Sequence, residues 1–262
     1  MIDKKEKNLL FNKENGVGRI TLNRPSSYNS LSTDLLNKLT DTFRAIEEQE
    51  DVRVVIIEGS GNGFCAGHDL NELRSINDQE KHKKIFKICS EMMISIMQLS
   101  KPVIAKVHGS ATAAGCQLVA TCDLAICSND ATFATPGVQI GLFCSTPMVA
   151  LSRNINRKQS MAMLLTGEKV SAEKAKEIGL VNDCVAKDKL ETTVLELANK
   201  ISSKSRESVK IGKGAFYKQL EMGISDSYDF TSQIMAENMM AHDAKEGISA
   251  FIEKRAPEWQ DK

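Results

Sequence analysis

The feature that most constrains the fold is a repeated order of buried strand, loop of small residues and helix. The first such strand, Val52 to Ile57, is a nearly continuous apolar run of the kind found in parallel sheets covered on both faces. Two further strands are expected at Pro102 to Val107 and Leu124 to Cys127. The rhythm continues to about Val185, which predicts an α/β core with mostly parallel strands.

The chain before this core predicts a hairpin and a helix. Apolar and polar residues alternate between Leu9 and Leu22 on both sides of Asn15-Gly16, a typical hairpin turn. Ser32 is placed to cap a helix whose apolar face spans residues 35 to 46. A longer amphipathic helix is expected from Gln79 to Leu99.

From about Leu190 the strand patterns stop, and the remaining chain predicts helices only. The expected helices are Leu190 to Ser202, Val209 to Met222, Phe230 to Met240 and Ile248 to Lys254. We therefore divide the chain into a core, residues 1–189, and a helical C-terminal region, residues 190–262. An all-helical region after an α/β core is expected to pack on the core or on another subunit.

Composition and charge exclude several functions. Lys and Arg together number 34, as do Asp and Glu, and this zero balance argues against a general nucleic-acid-binding protein. The seven cysteines include no C-x-x-C pair, so neither a metal site nor a redox motif is expected. The N-terminus MIDKKEKNLL lacks a signal-peptide pattern, and no apolar run is long enough to cross a bilayer. These features predict a cytoplasmic protein that does not bind membranes.

Two loops could carry chemistry. The first, Gly59 to Gly67, contains a G-x-G-x-x-A pattern, but no strand ending in an acidic residue follows at the distance a dinucleotide site needs. The second, residues 108 to 117, also follows a strand and opens a helix. Free N–H groups at two such junctions can form an oxyanion hole, because the helix dipole favours negative charge there. Asp69 and Glu72 form a predicted capping box after the first loop.

The order of several motifs resembles the crotonase, or enoyl-CoA hydratase/isomerase, superfamily across essentially the whole chain. The motifs are Asn23-Arg24-Pro25 with Asn29-Ser30-Leu31, Phe64 to Leu70, Lys101 to Ala105 with His108-Gly109, Ala113 to Leu118 with Cys122-Asp123, Phe133 to Pro136, Leu165 to Gly167, and Ala175 to Val181. Three further features are most similar to the branch called enoyl-CoA hydratase domain-containing protein 3: His68, the segment Ala111 to Gln117, and the segment Gly141 to Pro147.

The resemblance implies a spiral of ββα units, residues 1–189, that binds acyl-coenzyme A, and a C-terminal helical region that forms trimers or dimers of trimers. It places the two oxyanion donors on the backbone N–H groups of His68 and Ala114. It implies a coenzyme A thioester as substrate or ligand and no tightly bound cofactor. The residues implied to bind coenzyme A are Arg24, Tyr28, Cys65, Ala66, His68 and, from the C-terminal helices, Lys254.

The sequence departs from the family where hydratases carry two glutamates. By motif position these sites hold Gln117 and Gly137, which cannot exchange protons near neutral pH. Each acid/base group is typically worth about 10²–10⁴ in rate, so standard hydration should be nearly lost. Isomerases of the family place a base near Ser145, which is not a base. Cys144 lies in the same loop and is either a thiol nucleophile or a small buried side chain.

Three functions are compatible with these residues. The first is an enzyme that polarises an acyl-coenzyme A carbonyl, for example for thioester hydrolysis. The second is a non-catalytic acyl-coenzyme A-binding or scaffold protein, and the third is a hydratase that draws its acids from elsewhere in the pocket. Restoring glutamate at positions 117 and 137 is expected to raise hydration activity.

Overall fold

Two sheets form the scaffold of the computed structural model, which describes residues 7–262. The larger sheet has the order β1-β2-β3-β5-β7-β10, and the smaller has the order β4-β6-β8-β9. The larger sheet contains β1 (Leu9–Glu14), β2 (Val17–Leu22), β3 (Val54–Gly59), β5 (Val103–Val107), β7 (Leu124–Ser128) and β10 (Asp183–Val185). The smaller contains β4 (Gly63–Cys65), β6 (Ser110–Thr112), β8 (Thr132–Ala134) and β9 (Val170–Ser171).

Helices surround the sheets and form the C-terminal region. The first seven are α1 (Thr33–Glu47), α2 (Leu70–Arg74), α3 (Gln79–Gln98), α4 (Ala114–Thr121), α5 (Pro147–Asn154), α6 (Arg157–Thr166) and α7 (Ala172–Glu177). The last four are α8 (Leu190–Ser202), α9 (Arg206–Gln219), α10 (Ile224–Asn238) and α11 (His242–Glu253). Short 3-10 turns lie at Pro25–Ser27, Pro136–Ile140 and Lys187–Lys189.

The predicted α/β spiral is confirmed by the strand pairing. From β2 to β10 every pair in the larger sheet is parallel, and only the predicted β1–β2 hairpin is antiparallel. Strands β3, β5 and β7 are each followed by a short strand of the smaller sheet, so each turn of the spiral adds one strand to both sheets. This smaller sheet was not predicted, because strands of two or three residues inside glycine-rich loops carry no alternating pattern.

The central strands β3, β5 and β7 of the larger sheet are buried on both faces, which explains their continuous apolar sequences. Alternate residues of β3 point to opposite faces: Val55 and Ile57 lie in the cluster that includes α1, α3 and α4. Val54 and Ile56 instead pack with α8, which contributes Leu190, Val194 and Ala198. Helix α8 therefore completes the hydrophobic core of the sheet, although its residues fall within the predicted C-terminal region.

The remaining C-terminal helices lie further from the sheet. They begin earlier than predicted, α10 at Ile224 instead of Phe230 and α11 at His242 instead of Ile248. Helix α9 is fixed to the core by a buried ion pair, in which the Lys213 ammonium lies 2.7 Å from Asp123. Large apolar side chains on α10 and α11 are exposed in the single chain; they include Tyr228, Met235, Ile248, Phe251 and Ile252.

Candidate functional site

The first predicted donor, the His68 N–H, is flanked on both sides by backbone hydrogen bonds to Leu31. Leu31 N–H donates to the carbonyl of Gly67 at 2.7 Å, and Asp69 N–H donates to the carbonyl of Leu31 at 3.2 Å. Leu31 and His68 thus form an isolated parallel bridge. The His68 N–H itself has no acceptor among residues 7–262, so it is available to a ligand.

The second predicted donor, the Ala114 N–H, opens helix α4. A first-turn N–H has no acceptor within its helix, and Ala114 finds none elsewhere in the described chain. The preceding residue, Ala113, has φ 49° and ψ −119°, a conformation that residues with a side chain rarely adopt. Its own N–H donates to the carbonyl of Ala134 at 2.9 Å, which fixes the turn against β8.

Two glycines bring the loops into direct contact. A Cβ at Gly67, where φ is +90°, would lie 2.9 Å from the Ala114 nitrogen and 2.8 Å from the Ala113 Cβ. A Cβ at Gly115 would lie 2.1 Å from the carbonyl oxygen of Cys65. Only glycine allows this approach. The two predicted donors therefore lie on stretches of backbone that are in direct contact.

Asp69 caps α2, but the predicted capping box is wrong in its second half. The Asp69 carboxylate accepts from the N–H groups of Asn71 at 3.1 Å and Glu72 at 3.3 Å. The Glu72 carboxylate does not return to Asp69; it accepts from the Thr33 N–H at 2.9 Å, at the start of α1. The Asp69 N–H is not free to bind Glu72, because it already donates to the Leu31 carbonyl. Glu72 instead links the N-terminus of α2 to that of α1.

The imidazole of His68 lies in an apolar contact. It meets the Phe86 ring of α3 edge-on, with centroids 5.1 Å apart. Its Nε2 is buried and has no hydrogen-bond partner among the described residues. Burial lowers the pKa of His68 to about 4, so the ring is neutral at physiological pH.

Gln117 lies one turn along α4 from Ala114. The residue is 4% exposed, and its Oε1 is buried without a partner among residues 7–262. An unmet buried acceptor costs about 1–3 kcal/mol, so a ligand or water that donates to it would bind favourably. The free acceptor makes Gln117 a candidate ligand for a water or a substrate group.

At Gly137 the space for a side chain is already filled. Its N–H donates to the Cys144 sulfur at 3.3 Å. A Cβ there would lie 2.9 Å from that sulfur and 3.0 Å from the carbonyl oxygen of Leu142. Burial raises the pKa of Cys144, which disfavours a thiolate nucleophile. Ser145 is exposed and its hydroxyl donates to the Phe143 carbonyl.

The residues implied to bind coenzyme A differ in accessibility. Tyr28 is 58% exposed and its carbonyl accepts from the Ala66 N–H at 2.9 Å, so both line one surface beside His68. The Cys65 side chain is fully buried, its thiol donates to the Asn29 carbonyl, and burial raises its pKa to about 12. Lys254 closes α11 and is exposed, on none of the elements that build the two loops.

The Arg24 side chain is held inside the protein. Its guanidinium donates to the carbonyl and hydroxyl oxygens of Ser30 at 2.5 and 3.1 Å, and to the Asp69 carboxylate at 2.8 Å. Both partners of this ion pair are mostly buried. These contacts use the guanidinium that was predicted to bind coenzyme A.

Three contributors to the site were not singled out from the sequence. The fully buried Asn29 donates to three carbonyl oxygens around the first loop, those of Ser60, Gly63 and Phe64. Phe86 covers the His68 ring, and the Thr135 hydroxyl is buried with no partner in the described chain. Asn29 could have been found from its place in the Asn-Ser-Leu motif, whereas the other two have no distinctive pattern.

Residues 7–262 hold no cluster of three or more His, Cys, Asp or Glu side chains that could bind a metal ion. None of the helices in this part of the chain is both long and apolar enough to span a membrane.

The stacked turns of two sheets, with the donor loops between them, define an α/β spiral of the crotonase type. The family model described as Enoyl-CoA hydratase/isomerase matches residues 12–262, and the chain belongs to that family. A mouse (Mus musculus) relative, Enoyl-CoA hydratase domain-containing protein 3, mitochondrial, is 45% identical over 246 residues, 94% of this chain and 82% of the relative.

Solved structures agree with this assignment. An enoyl-CoA hydratase from Mycobacterium smegmatis has 50% identity and a TM-score of 0.95, covering 97% of this chain and 99% of its own. Human enoyl Coenzyme A hydratase domain-containing protein 3 has 43% identity and a TM-score of 0.94, covering 97% of this chain and 100% of its own. The predicted superfamily, branch and fold are therefore confirmed. The predicted cytoplasmic location is wrong by this comparison, because the mouse relative of the same branch is named mitochondrial.

Proposed function

We propose that this protein binds acyl-coenzyme A and polarises its thioester carbonyl between the N–H groups of His68 and Ala114. The observation that carries the proposal is that both N–H groups lack an acceptor in residues 7–262 and lie on backbone segments in direct contact. Membership of the enoyl-CoA hydratase/isomerase family supports a coenzyme A thioester as the ligand.

The chemistry follows from the position of the donors. Two fixed N–H groups stabilise negative charge on the thioester oxygen as it becomes an enolate or a tetrahedral oxyanion. The start of α4 adds the positive end of a helix dipole. Both donors are backbone groups already in place, so they need no rearrangement when charge develops.

Proton transfer is the part that this site lacks. Gln117 can hold a water or a substrate group through its free Oε1, but it cannot act as an acid or base. At Gly137 the Cys144 thiol and the Leu142 carbonyl occupy the space beside the backbone. Standard hydration by a glutamate pair is therefore not proposed. A reaction at this site would draw its proton from water or from the substrate itself.

The filled space at Gly137 also favours a second candidate, a non-catalytic acyl-coenzyme A-binding protein. A chain in which only the acids had been exchanged would leave room for a side chain at Gly137, whereas here the Cys144 thiol and the Leu142 carbonyl occupy that space. Thioester hydrolysis remains compatible with the first candidate, because the oxyanion hole serves a tetrahedral adduct as well as an enolate.

A panel of coenzyme A thioesters separates these candidates. Saturated, 2-enoyl and 3-hydroxyacyl thioesters are tested for thermal stabilisation and for turnover. Stabilisation by thioesters together with turnover supports the enzyme, and stabilisation without turnover of any member supports the binding protein. Rapid hydration of a 2-enoyl thioester contradicts the roles given to Gln117 and Gly137, and no stabilisation by any member contradicts both candidates.

We further propose that the chain assembles into a trimer or a dimer of trimers. Phe251 is 85% exposed and Ile252 72% exposed in the single chain, and the two are neighbours near the end of α11. Contiguous apolar surface of this kind is typical of a subunit interface. The resemblance to the crotonase superfamily supports a three-fold arrangement.

A further inference from the structure

We propose that Arg24 and Asp69 are positioning residues that hold the His68 N–H in place, and that Arg24 does not serve as a coenzyme A ligand. The inference rests on the proposed carbonyl-polarising function. It assigns a role to an ion pair that lies beside the donor without touching the ligand.

The first step is the position of the ion pair. His68 is flanked by Gly67, whose carbonyl accepts from Leu31, and by Asp69, whose N–H donates to Leu31. The direction of the His68 N–H therefore depends on where Leu31 and Asp69 are held. Both are hydrogen bonds between backbone groups, so they fix the distance between the two segments. Where the paired segments lie within the protein depends on other contacts.

Arg24 supplies those contacts on both sides of the bridge. One guanidinium nitrogen, Nη1, bonds the carbonyl and hydroxyl of Ser30, directly before Leu31. The other, Nη2, bonds the Asp69 carboxylate, directly after His68. A planar guanidinium with donors in a fixed fork can join two segments in one geometry, which a lysine cannot reproduce.

The Asp69 carboxylate extends the link to helix α2. Its Oδ2 accepts from Arg24, while its Oδ1 accepts from the N–H groups of Asn71 and Glu72. The Arg24 hydrogen bond is the main reason that the pKa of Asp69 lies below its ordinary value. The carboxylate is therefore ionised and fully engaged at neutral pH.

These contacts also argue against a direct role for Arg24 in ligand binding. The Arg24 and Asp69 side chains are 19% and 14% exposed. Turning the guanidinium toward a phosphate would take this donor from the Ser30 carbonyl. It would also leave the mostly buried Asp69 carboxylate with neutral donors only and no cation, which is costly. Tyr28 and Ala66, which are exposed beside the loop, are better placed to meet the coenzyme.

The test compares two ligands that differ only at the carbonyl: butyryl-coenzyme A, a thioester, and S-butyl-coenzyme A, a thioether without the carbonyl oxygen. Dissociation constants for both are measured by calorimetry with the wild-type protein and the variants. The ratio of the two dissociation constants isolates the contribution of the carbonyl oxygen to the affinity, because the coenzyme A contacts are common to both ligands.

For Arg24→Met and Asp69→Asn we expect the preference for the thioester to fall about tenfold, the effect of losing one hydrogen bond of roughly 1.4 kcal/mol. The dissociation constant for the thioether should stay within about twofold of its wild-type value. Arg24→Lys should keep part of the preference, since it retains the charge but not the fork. Asp69→Asn keeps Oδ1 as the α2 cap, so it remains informative if Arg24→Met folds poorly.

Two control variants separate the positioning role from a general loss of stability and from a loss of coenzyme A contacts. Arg53→Met removes an ion pair of similar burial, that with Asp261, and should lower thermal stability without changing the ligand ratio. Tyr28→Ala should weaken both ligands alike. Equal weakening of both ligands by Arg24→Met would make Arg24 a coenzyme A ligand and overturn the proposal.

The ligand ratio also distinguishes the positioning role from the polarising function. A wild-type protein that prefers the thioester, with Arg24→Met and Asp69→Asn keeping the full preference, overturns only the positioning role. A wild-type protein that binds both ligands equally overturns the proposed polarising function, and the positioning role with it.

Discussion

The His68 side chain and the His68 N–H belong to different parts of the site. The N–H is the group that we propose binds the ligand oxygen, whereas the ring packs on Phe86 with its Nε2 unpaired among the described residues. Burial lowers the pKa of the ring to about 4. The proposed role of the residue therefore belongs to its backbone, and its imidazole is neutral near pH 7.

This pKa predicts how stability depends on pH. In the unfolded chain His68 binds a proton near pH 6.5, but in the folded protein only near pH 4. The unfolded state is therefore favoured as pH falls through this window, with a slope of about 1.4 kcal/mol per pH unit for one proton. We expect His68→Gln to unfold with a shallower dependence between pH 6.5 and 4, measured by chemical denaturation at several pH values. Equal slopes for both proteins would contradict the buried, neutral ring.

Gly137 gives a second prediction at this scale. Because a Cβ there would meet the Cys144 sulfur at 2.9 Å and the Leu142 carbonyl at 3.0 Å, we expect Gly137→Ala to lower the free energy of unfolding by about 1–3 kcal/mol. The matched control is Gly212→Ala on α9, where a Cβ meets nothing within 4 Å. This control should be neutral or stabilise by up to about 1 kcal/mol.

The same contacts change the expectation for restored glutamates. Gln117→Glu places a carboxyl group in a site that already holds an amide, but Gly137→Glu must first displace the Leu142–Cys144 segment. We therefore expect the double variant to gain little hydration activity in a coupled assay. Recovery of a hydratase-like rate would show that this segment moves aside readily.

At the scale of elements, helix α9 is fixed to the core by one buried cation. The Lys213 side chain is 6% exposed, and its ammonium bonds the Asp123 carboxylate at 2.7 Å and the carbonyls of Ile96 and Lys101 at 2.9 and 3.0 Å. Tyr217, one turn further, donates to the same carboxylate at 2.8 Å. Asp123 also accepts from the Val103 N–H, so the pair joins α9 to strand β5.

We expect Lys213→Met to cost about 3–5 kcal/mol, because it leaves the mostly buried Asp123 carboxylate without its cation. Tyr217→Phe removes one hydrogen bond and should cost about 1–3 kcal/mol, toward the upper end because the acceptor is charged. Both values are measured by denaturant unfolding. Equal small losses for the two variants would mean that α9 is held mainly by apolar contacts.

The elements also show how far sequence patterns reach. The buried strands and the long helix α3 were predicted because their apolar residues repeat over five or more positions. The smaller sheet was missed because β4, β6 and β8 have three residues each. The donor loops were located by motif, but the closing of the space at Gly137 depends on the path of the 142–144 segment, which no local pattern encodes.

At the scale of the whole molecule, the exposed apolar residues of α10 and α11 predict an assembly. Replacing Phe251, 85% exposed in the single chain, with Asp should place a charge in the proposed subunit interface and dissociate the proposed oligomer. Light scattering of the purified protein measures the change in mass. Leu10→Asp, at an exposed position on β1, is the control that should leave the mass unchanged. A monomeric wild-type protein would contradict the proposed trimer.

The most direct test of carbonyl polarisation is the infrared stretch of the thioester carbonyl in bound butyryl-coenzyme A labelled with ¹³C at that carbon. If the N–H groups of His68 and Ala114 bind the oxygen, the band moves to lower frequency relative to the free ligand, because two hydrogen bonds weaken the C=O bond. A bound ligand whose carbonyl band stays at the frequency of the free thioester would contradict the proposed role of these two residues.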